Sequence, residues 1–319
     1  VGGRFINNTT IAGLDSTCGW WYSLNGADVD NDGDIDYVAG NMGLNNRYQA
    51  TPTSPIELYS GDFDDNGSTD ALIVYTNDGK RRLVRDRPKI FAQMPTMNRR
   101  FNEYKQFARA TVEDILDSAQ RVSSTHKVAV EMRSSILMND GHGHFTIKPL
   151  PDLCQISPLL GVEFLDLNAD NNIDMVMCGN IYGAEDDVVR YDAGKGLVLL
   201  GNGEGGFSPL AIPASGFISP YDTKGLVTIK NPGNAKSPVI LATSVNNGIS
   251  ESFVLTEPAF IRVVEADPAR VTHAILDIGE GKRRVEIYCG SGYRSQSSCH
   301  LVVPSTTRSI EFYRGFEKK

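Results

Sequence analysis

The sequence has little that would support the commonest catalytic or membrane functions. Its five His and five Cys residues form no His-Glu-x-x-His or Cys-x-x-Cys pattern, so the usual zinc motifs are absent. There is no Gly-x-Ser-x-Gly elbow, the signature of α/β-hydrolases. No apolar run approaches the roughly 20 residues that cross a bilayer as a helix, so no transmembrane segment is predicted.

The cysteines are an odd number and cannot all form disulfides. Cys178 lies in an apolar run and is expected to be a small buried hydrophobe rather than a ligand. Cys289 and Cys299 either bridge a short hairpin or remain reduced, and the two alternatives stay open because a disulfide requires a spatial geometry that spacing alone does not give.

The net charge of −8 says little about partners. Twelve of the 39 Asp and Glu residues fall within three nine-residue stretches, which leaves 27 acidic residues against 31 Lys and Arg. The acidity is therefore concentrated at candidate metal ligands. Neither nucleic acid nor another charged macromolecule is predicted as a partner.

Three stretches place oxygen-bearing side chains at the spacing of a calcium loop. We name them loop 1 (28–36), loop 2 (62–70) and loop 3 (166–174). Such loops supply about seven oxygens, one of them the backbone carbonyl of position 7. The predicted ligands are Asp28, Asp30, Asp32, the Asp34 carbonyl and Asp36 in loop 1; Asp62, Asp64, Asn66, the Ser68 carbonyl and Asp70 in loop 2; and Asp166, Asn168, Asp170, the Asn172 carbonyl and Asp174 in loop 3.

Position 6 of these loops is occupied by Gly33, Gly67 and Asn171, the residue types that best tolerate a positive φ at a sharp bend. An EF-hand would also need a bidentate Glu at position 12 and a helix on each side. Position 12 is instead apolar in all three loops, and the flanking residues are typical of strands. The sequence therefore predicts three strand–loop–strand units that bind about three Ca²⁺ ions.

Residues 1–256 are predicted to form one all-β domain, and residues 257–319, after Glu257-Pro258, a small second β domain. A helical insertion is predicted at about 98–121, where apolar residues recur at helical spacing and Thr111 to Asp114 resembles a capping box. We expect this insertion to be peripheral to the β body. The start at Val1, without Met or signal peptide, leads us to expect that the chain begins inside a repeat.

Two glycine-rich hairpin tips contain further candidates. Gly201-x-Gly203-x-x-Gly206 matches a dinucleotide fingerprint formally, but Phe207-Ser-Pro209 follows where a helix is required. His142 and His144 are either solvated turn residues or a metal-binding pair that lacks an evident third ligand. The acidic residues 185–187 are either solvated or part of a polar rim site.

The repeated strand-DxDxDGxxD-strand pattern, with its Gly-x-Gly-x-Phe hairpins, resembles the FG-GAP or VCBS repeats of integrin-type β-propellers. Residues 284–298, Arg-Val-Glu-Ile-Tyr-Cys-Gly-Ser-Gly-Tyr-Arg-Ser-Gln-Ser-Ser, resemble the ASPIC/UnbV segment that follows such propellers in secreted acidic-protein homologues. The resemblance implies a calcium-binding β-propeller, seven-bladed in the intact protein. This chain contains predicted strands for only four or five blades.

Weak calcium sites match the millimolar calcium outside the cytosol, so an extracytoplasmic location is expected. Two function classes remain at this level. One is a non-catalytic module that binds a glycan or an extracellular protein. The other is a polysaccharide lyase or hydrolase, whose paired carboxylates would converge in space rather than in sequence.

Overall fold

The computed structural model describes residues 4–184, 188–231, 233, 239–255, 261–279, 281–287, 290, 296–315 and 317–318. The fold is mostly β, as predicted, and consists of small antiparallel sheets with a few short helices. The chain divides into two compact units. Unit 1 comprises Val1–Leu14, Trp21–Asn46 and Arg133–Lys319, and unit 2 comprises Asp15–Trp20 and Arg47–Met132.

The strands are short, as expected where turns and loops interrupt the chain often. In chain order they are β1 Ser23–Ala27, β2 Asp36–Gly40, β3 Ile56–Gly61, β4 Asp70–Asn77, β5 Lys80–Leu83, β6 Thr125–Ala129, β7 Ser135–Asn139, β8 Phe145–Pro149, β9 Gly161–Leu165, β10 Asp174–Cys178, β11 Leu197–Gly201, β12 Phe207–Leu210, β13 Thr223–Lys230, β14 Val239–Val245, β15 Glu251–Val254, β16 Ile261–Glu265, β17 His273–Asp277, β18 Lys282–Glu286, β19 His300–Pro304, β20 Ser309–Arg314 and β21 Glu317–Lys318.

The helices are α1 Arg87–Gln93, α2 Met97–Arg100, α3 Tyr104–Arg109, α4 Val112–Ile115, α5 Ser118–Ser123 and α6 Ile212–Ser215, and a 3₁₀ turn spans Asp152–Gln155. Among the described residues, none of these helices has the length and apolar character needed to cross a membrane.

The strands form six sheets in the described part of the chain. Their orders are β1-β2-β7-β8, β5-β4-β3-β6, β12-β11-β10-β9, β13-β14-β15, β16-β19 and β18-β17-β20-β21. The sheet β12-β11-β10-β9 is a simple meander of consecutive strands. The sheet β1-β2-β7-β8 has the same order of pairing, but residues 41–134 are inserted between its second and third strands. The closure of these sheets into a propeller ring remains a prediction.

A repeated Gly-Asn pair ends the second strand of both of these sheets. A Cβ on Gly40 would lie 2.2 Å from the carbonyl oxygen of Leu159, and one on Gly179 would lie 2.1 Å from that of Pro158, so only glycine permits these approaches. Asn180, fully buried, donates to the carbonyls of Gly194 (3.0 Å) and Tyr221 (2.7 Å). Asn180 thus satisfies buried backbone carbonyls where the chain leaves the sheet.

The described residues of unit 1 form three clusters of buried apolar side chains. One joins the inner faces of β2, β7, β9, β10 and β11, a second involves β10, β13 and β14, and a third lies under the strands that follow residue 260. The predicted boundary at 257 falls among residues outside the described part, and the division into domains 1–256 and 257–319 remains a prediction.

The helical segment of unit 2 is more extensive and more central than the sequence predicts. It begins at Arg87 rather than at residue 98 and is broken into five short helices. The backbone N–H of Thr111 does donate to Asp114, at 2.8 Å, as the predicted capping box requires. However, the expectation of a peripheral insertion is wrong, because the helices supply most of the apolar core that covers β3 and β4. The buried helical and inter-helical residues of this core are Ile90, Phe91, Met94, Met97, Phe101, Ala110, Val112, Ile115 and Leu116.

Candidate metal centres

Each predicted calcium loop joins two antiparallel strands. Loop 1 connects β1 to β2, loop 2 connects β3 to β4, and loop 3 connects β9 to β10. Loops 1 and 3 belong to unit 1 and loop 2 belongs to unit 2. The prediction that strands rather than helices flank these loops is confirmed.

The three loops have the same internal hydrogen bonds. The N–H of position 6 donates to the carboxylate of position 1 at 3.2, 2.8 and 3.1 Å in loops 1, 2 and 3. The N–H of position 7 donates to the side-chain oxygen of position 5 at 2.8 Å in each loop. The N–H of position 2 donates to the carboxylate of position 9 at 3.1, 2.9 and 2.7 Å. These bonds curl the backbone inward, so the alternate side chains face a common centre.

The backbone bends where the sequence indicates, and at one further position. Gly33, Gly67 and Asn171 at position 6 have φ of 96°, 83° and 63°, which confirms the predicted left-handed bend. Position 4 also lies in this region in all three loops, with φ of 61°, 56° and 64°. It is occupied by Asn31, Asp65 and Ala169, and the last of these has no polar side chain to favour the conformation.

Loops 1 and 2 each gather three carboxylates into a group that could hold a metal ion. Asp28, Asp30 and Asp32 offer oxygens that all lie within 4.8 Å of one another. Asp62, Asp64 and Asp70 do the same in loop 2.

Several oxygens in these groups lack hydrogen-bond partners. Oδ1 of Asp28 and of Asp30 in loop 1, and Oδ1 of Asp64 and of Asp70 in loop 2, are buried and have no donor in the described part of the chain. Asp28 is 1% exposed and Asp70 is fully buried. A buried carboxylate oxygen without a donor is costly unless a cation supplies the missing interaction. The donors are all oxygen, the type that hard divalent cations prefer. These residues therefore fit a metal ion.

Loop 3 differs, because its carboxylates are already satisfied by N–H donors. Asp166 accepts from the N–H groups of Ala169 (2.8 Å) and Asn171 (3.1 Å), and Asp174 accepts from Leu167 (2.7 Å) and Gly201 (2.9 Å). Asp170 accepts from the Asn168 amide at 3.0 Å and from the Asn172 N–H at 2.8 Å. No buried carboxylate oxygen of loop 3 lacks a donor in the described structure.

Burial of like charges raises the pKa of several loop carboxylates. Desolvation is the main cause at Asp28 and Asp36, and it raises the pKa of each to about 6, with a smaller contribution from neighbouring Asp side chains. Desolvation likewise raises the pKa of Asp174 to about 6 and shifts the pKa of Asp30 and Asp70 upward. The carboxylates of each loop therefore resist full ionisation in the absence of a cation.

An arginine that the sequence does not single out links loops 1 and 3. Arg283, on β18, is 2% exposed, and its Nε donates to Asn31 Oδ1 at 2.8 Å while Nη2 donates to the carbonyl of Asn171. The adjacent backbone N–H of Arg284 donates to Asp28 at 2.8 Å. Desolvation lowers the pKa of Arg283, and the carboxylates of Asp28 and of loop 3 oppose this shift. A single Arg in a strand gives no signal in the sequence that would reveal this role.

The remaining candidates have simpler roles or fall outside the described residues. The N–H groups of His142 and His144 both donate to Asp140, at 2.9 and 3.1 Å, which favours the turn interpretation. β12 follows Gly206, so no helix opens at the formal dinucleotide fingerprint. Cys178 is a buried thiol, as predicted. Cys289 and residues 185–187 lie outside the described residues.

Comparison with models of known protein families and with curated proteins gave no match to this chain.

Proposed function

We propose that this chain is part of an extracytoplasmic, calcium-stabilised β-propeller that acts as a non-catalytic binding module for a glycan or a protein. The observation that carries the metal part of this proposal is the set of buried carboxylate oxygens without donors in loops 1 and 2. Calcium is favoured over magnesium because a flexible loop with many oxygen donors suits calcium, whereas magnesium demands a near-ideal octahedron and retains several waters.

The three loops are proposed to differ in affinity. Loops 1 and 2 keep buried carboxylate oxygens that have no donor in the described structure, whereas the carboxylates of loop 3 accept hydrogen bonds from N–H donors. We therefore expect two calcium ions to bind more tightly than a third.

Calcium is expected to stabilise each unit separately. A site with a dissociation constant of about 1 mM gains roughly 1.4 kcal/mol at about 10 mM calcium. This corresponds to a rise in melting temperature of about 3–6 °C for unit 1 and about 6–11 °C for the smaller unit 2. Asp30→Asn should remove most of the effect on unit 1, where only the weaker loop 3 site remains, and Asp64→Asn should remove the effect on unit 2. Calorimetry and hydrogen exchange of the wild type and both variants, each with calcium and with EDTA, measure the stabilisation of each unit by calcium.

Asp65→Asn is the matched control for the calcium experiment. Asp65 lies in loop 2 but at position 4, where it is exposed and is not a predicted ligand, and Asn also tolerates its φ of 56°. This variant should keep the full calcium effect. An equal loss in Asp65→Asn and Asp64→Asn, or no response of the wild type to calcium, would contradict the metal assignment.

The binding role follows from the resemblance noted in the sequence and requires its own experiment. A glycan array would identify a carbohydrate partner, and a reducing-end assay on the same polysaccharides would detect turnover. Binding without new reducing ends supports the proposal. Calcium-independent release of reducing ends would favour the lyase or hydrolase alternative.

A further inference from the structure

Unit 2 contains a segment whose charge is opposite to that of the whole chain. Residues 80–109 carry ten basic residues and only two acidic ones, Asp86 and Glu103, although the net charge of the chain is −8. The basic residues are Lys80, Arg81, Arg82, Arg85, Arg87, Lys89, Arg99, Arg100, Lys105 and Arg109. This charge run is visible in the sequence, but the sequence does not show which of these cations converge.

One of these arginines is neutralised by structural ion pairs. Arg81 forms a bidentate pair with the buried Glu57, with both N–O distances at 2.9 Å, and reaches Glu113 at 2.7 Å. Its neighbour Arg82 forms no ion pair with a carboxylate in the described part of the chain. Successive residues of a strand point to opposite faces of the sheet, so the side chains of Arg81 and Arg82 have different neighbours.

Arg82 lines a cavity of about 600 Å³ that lies within unit 2. Arg85, Arg87 and Lys105 also line it, and the only acidic residue among its described lining is Asp86. Asp86 is engaged elsewhere, because its carboxylate accepts from the Lys89 N–H at 3.2 Å as the N-cap of α1. We call this cavity the basic pocket. Its volume falls within the usual range of small-ligand sites.

Two guanidinium groups in the basic pocket, those of Arg82 and Arg87, retain unused donors. Arg82 donates from Nη1 to the Ala108 carbonyl at 3.3 Å, and Arg87 donates from Nη2 to the Phe101 carbonyl at 3.1 Å. Nε of each is buried without an acceptor among the described residues. A donor left unsatisfied in this way is costly, and an anion that accepts from it removes the cost.

The pocket is preorganised and has aromatic walls. The Arg87 guanidinium carbon lies 4.3 Å from the ring centroid of Phe91 and 4.7 Å from that of Tyr104, which holds the cation between two rings. The aromatic residues that line the cavity itself are Tyr75, Tyr104 and Phe107. Fixed guanidinium groups pair with carboxylates, sulfates or phosphates in a planar geometry, and ring faces pack against the apolar face of a sugar or another ring.

We propose that the basic pocket binds a small acidic sugar, with its carboxylate or sulfate on the Arg82 and Arg87 side chains and its ring against the aromatic wall. The inference rests on the proposed role as a binding module and specifies the chemical class of the ligand. A compact anion suits this site better than a nucleic-acid strand, because strand binding uses an extended groove and the charge here converges in a cavity.

Titration calorimetry of the full chain with glucuronic acid tests the proposal, with glucose and sodium sulfate as comparison ligands. Glucuronic acid should bind, glucose should not, and sulfate should bind more weakly because it lacks the ring. Arg82→Gln and Lys105→Gln should each weaken glucuronic acid binding about tenfold or more, since each removes a positive charge from the lining of the pocket. Lys105 is exposed, so Lys105→Gln remains informative if Arg82→Gln does not fold.

Arg99→Gln is the matched control, because Arg99 belongs to the same basic segment, is exposed and does not line the cavity. It should leave binding unchanged. The proposal would be overturned by equal binding of glucose and glucuronic acid, by sulfate binding as tightly as glucuronic acid, or by an equal effect of Arg99→Gln. Tight binding of a single-stranded oligonucleotide that Arg99→Gln weakens would overturn it as well. The response to EDTA is a separate experiment. A negative result for glucuronic acid binding therefore does not affect the test of calcium binding.

Discussion

Replacing Arg283 by alanine is expected to lower the free energy of unfolding by about 3–5 kcal/mol, the range for removing one partner from a buried charged network. The side chain is 2% exposed and donates to Asn31 in loop 1 and to Asn171 in loop 3. Its removal leaves the Asn31 amide oxygen and the Asn171 carbonyl without this donor, and it withdraws a positive charge that acts on Asp28 of loop 1 and on the carboxylates of loop 3. Urea denaturation measures the loss.

Hydrogen exchange can locate the effect of Arg283→Ala within the molecule. Amides of loops 1 and 3 should lose protection, whereas those of loop 2, which belongs to unit 2, should not. Arg270→Ala is the matched control, since the Arg270 side chain is 84% exposed and pairs only at the surface with Asp267 at 3.2 Å. It should change stability by no more than about 0.5 kcal/mol. A loss below about 1 kcal/mol in Arg283→Ala, or an equal loss of protection in loop 2, would contradict the linking role.

Glu163 is expected to make the stability of unit 1 depend on pH. This residue, on β9, is buried and lines a cavity of about 160 Å³, and it accepts from the hydroxyls of Ser297 at 2.5 Å and Thr228 at 3.3 Å. Desolvation raises its pKa to about 7, and these two hydrogen bonds oppose the shift only in part. The ionised form is therefore less favourable in the folded state than in the unfolded chain.

The direction of the effect follows from which state holds the proton. Below about pH 4.5 both states are protonated, and above about pH 7 both are ionised. Between these values the folded state keeps a proton that the unfolded state has lost, so the free energy of unfolding falls as the pH rises, by up to about 3 kcal/mol. Glu163→Gln, which cannot ionise, should lack this decrease and should be more stable than the wild type at pH 8.

Urea denaturation at fixed calcium concentration from pH 5 to 8 tests the Glu163 prediction, with the difference between variant and wild type as the measured quantity. This difference removes the contribution of the loop carboxylates, which titrate in both proteins. Glu204→Gln, at an exposed hairpin tip, is the matched control and should follow the wild-type curve. Parallel curves for wild type and Glu163→Gln would show that Glu163 is already ionised in the folded protein at pH 5.

The sequence by itself determined the local structure of the three loops. Spacing fixed the alternate side chains, Gly33 and Gly67 marked the bends, and Asn171 was correctly identified as the substitute for glycine, because all of these features depend on contacts within nine residues. The strand character of the flanks was equally local. The donors that satisfy the loop carboxylates are not all local. Asp36 and Asp174 accept from the N–H groups of Asn139 and Gly201, which come from the neighbouring strand pair.

Only the tertiary structure decided the features that depend on distant partners. The pairing of β2 with β7 across an insertion, the packing of the short helices as the core of unit 2, and the position of Arg283 between loops 1 and 3 all join residues far apart in the chain. The basic pocket also depends on tertiary structure. The sequence of residues 80–109 shows that the segment is positively charged, but it does not show that Arg81 faces Glu57 while Arg82 faces the cavity. Local patterns set the backbone and the supply of charges, whereas burial and pairing, which depend on the whole chain, determine which of those charges remain available for a ligand.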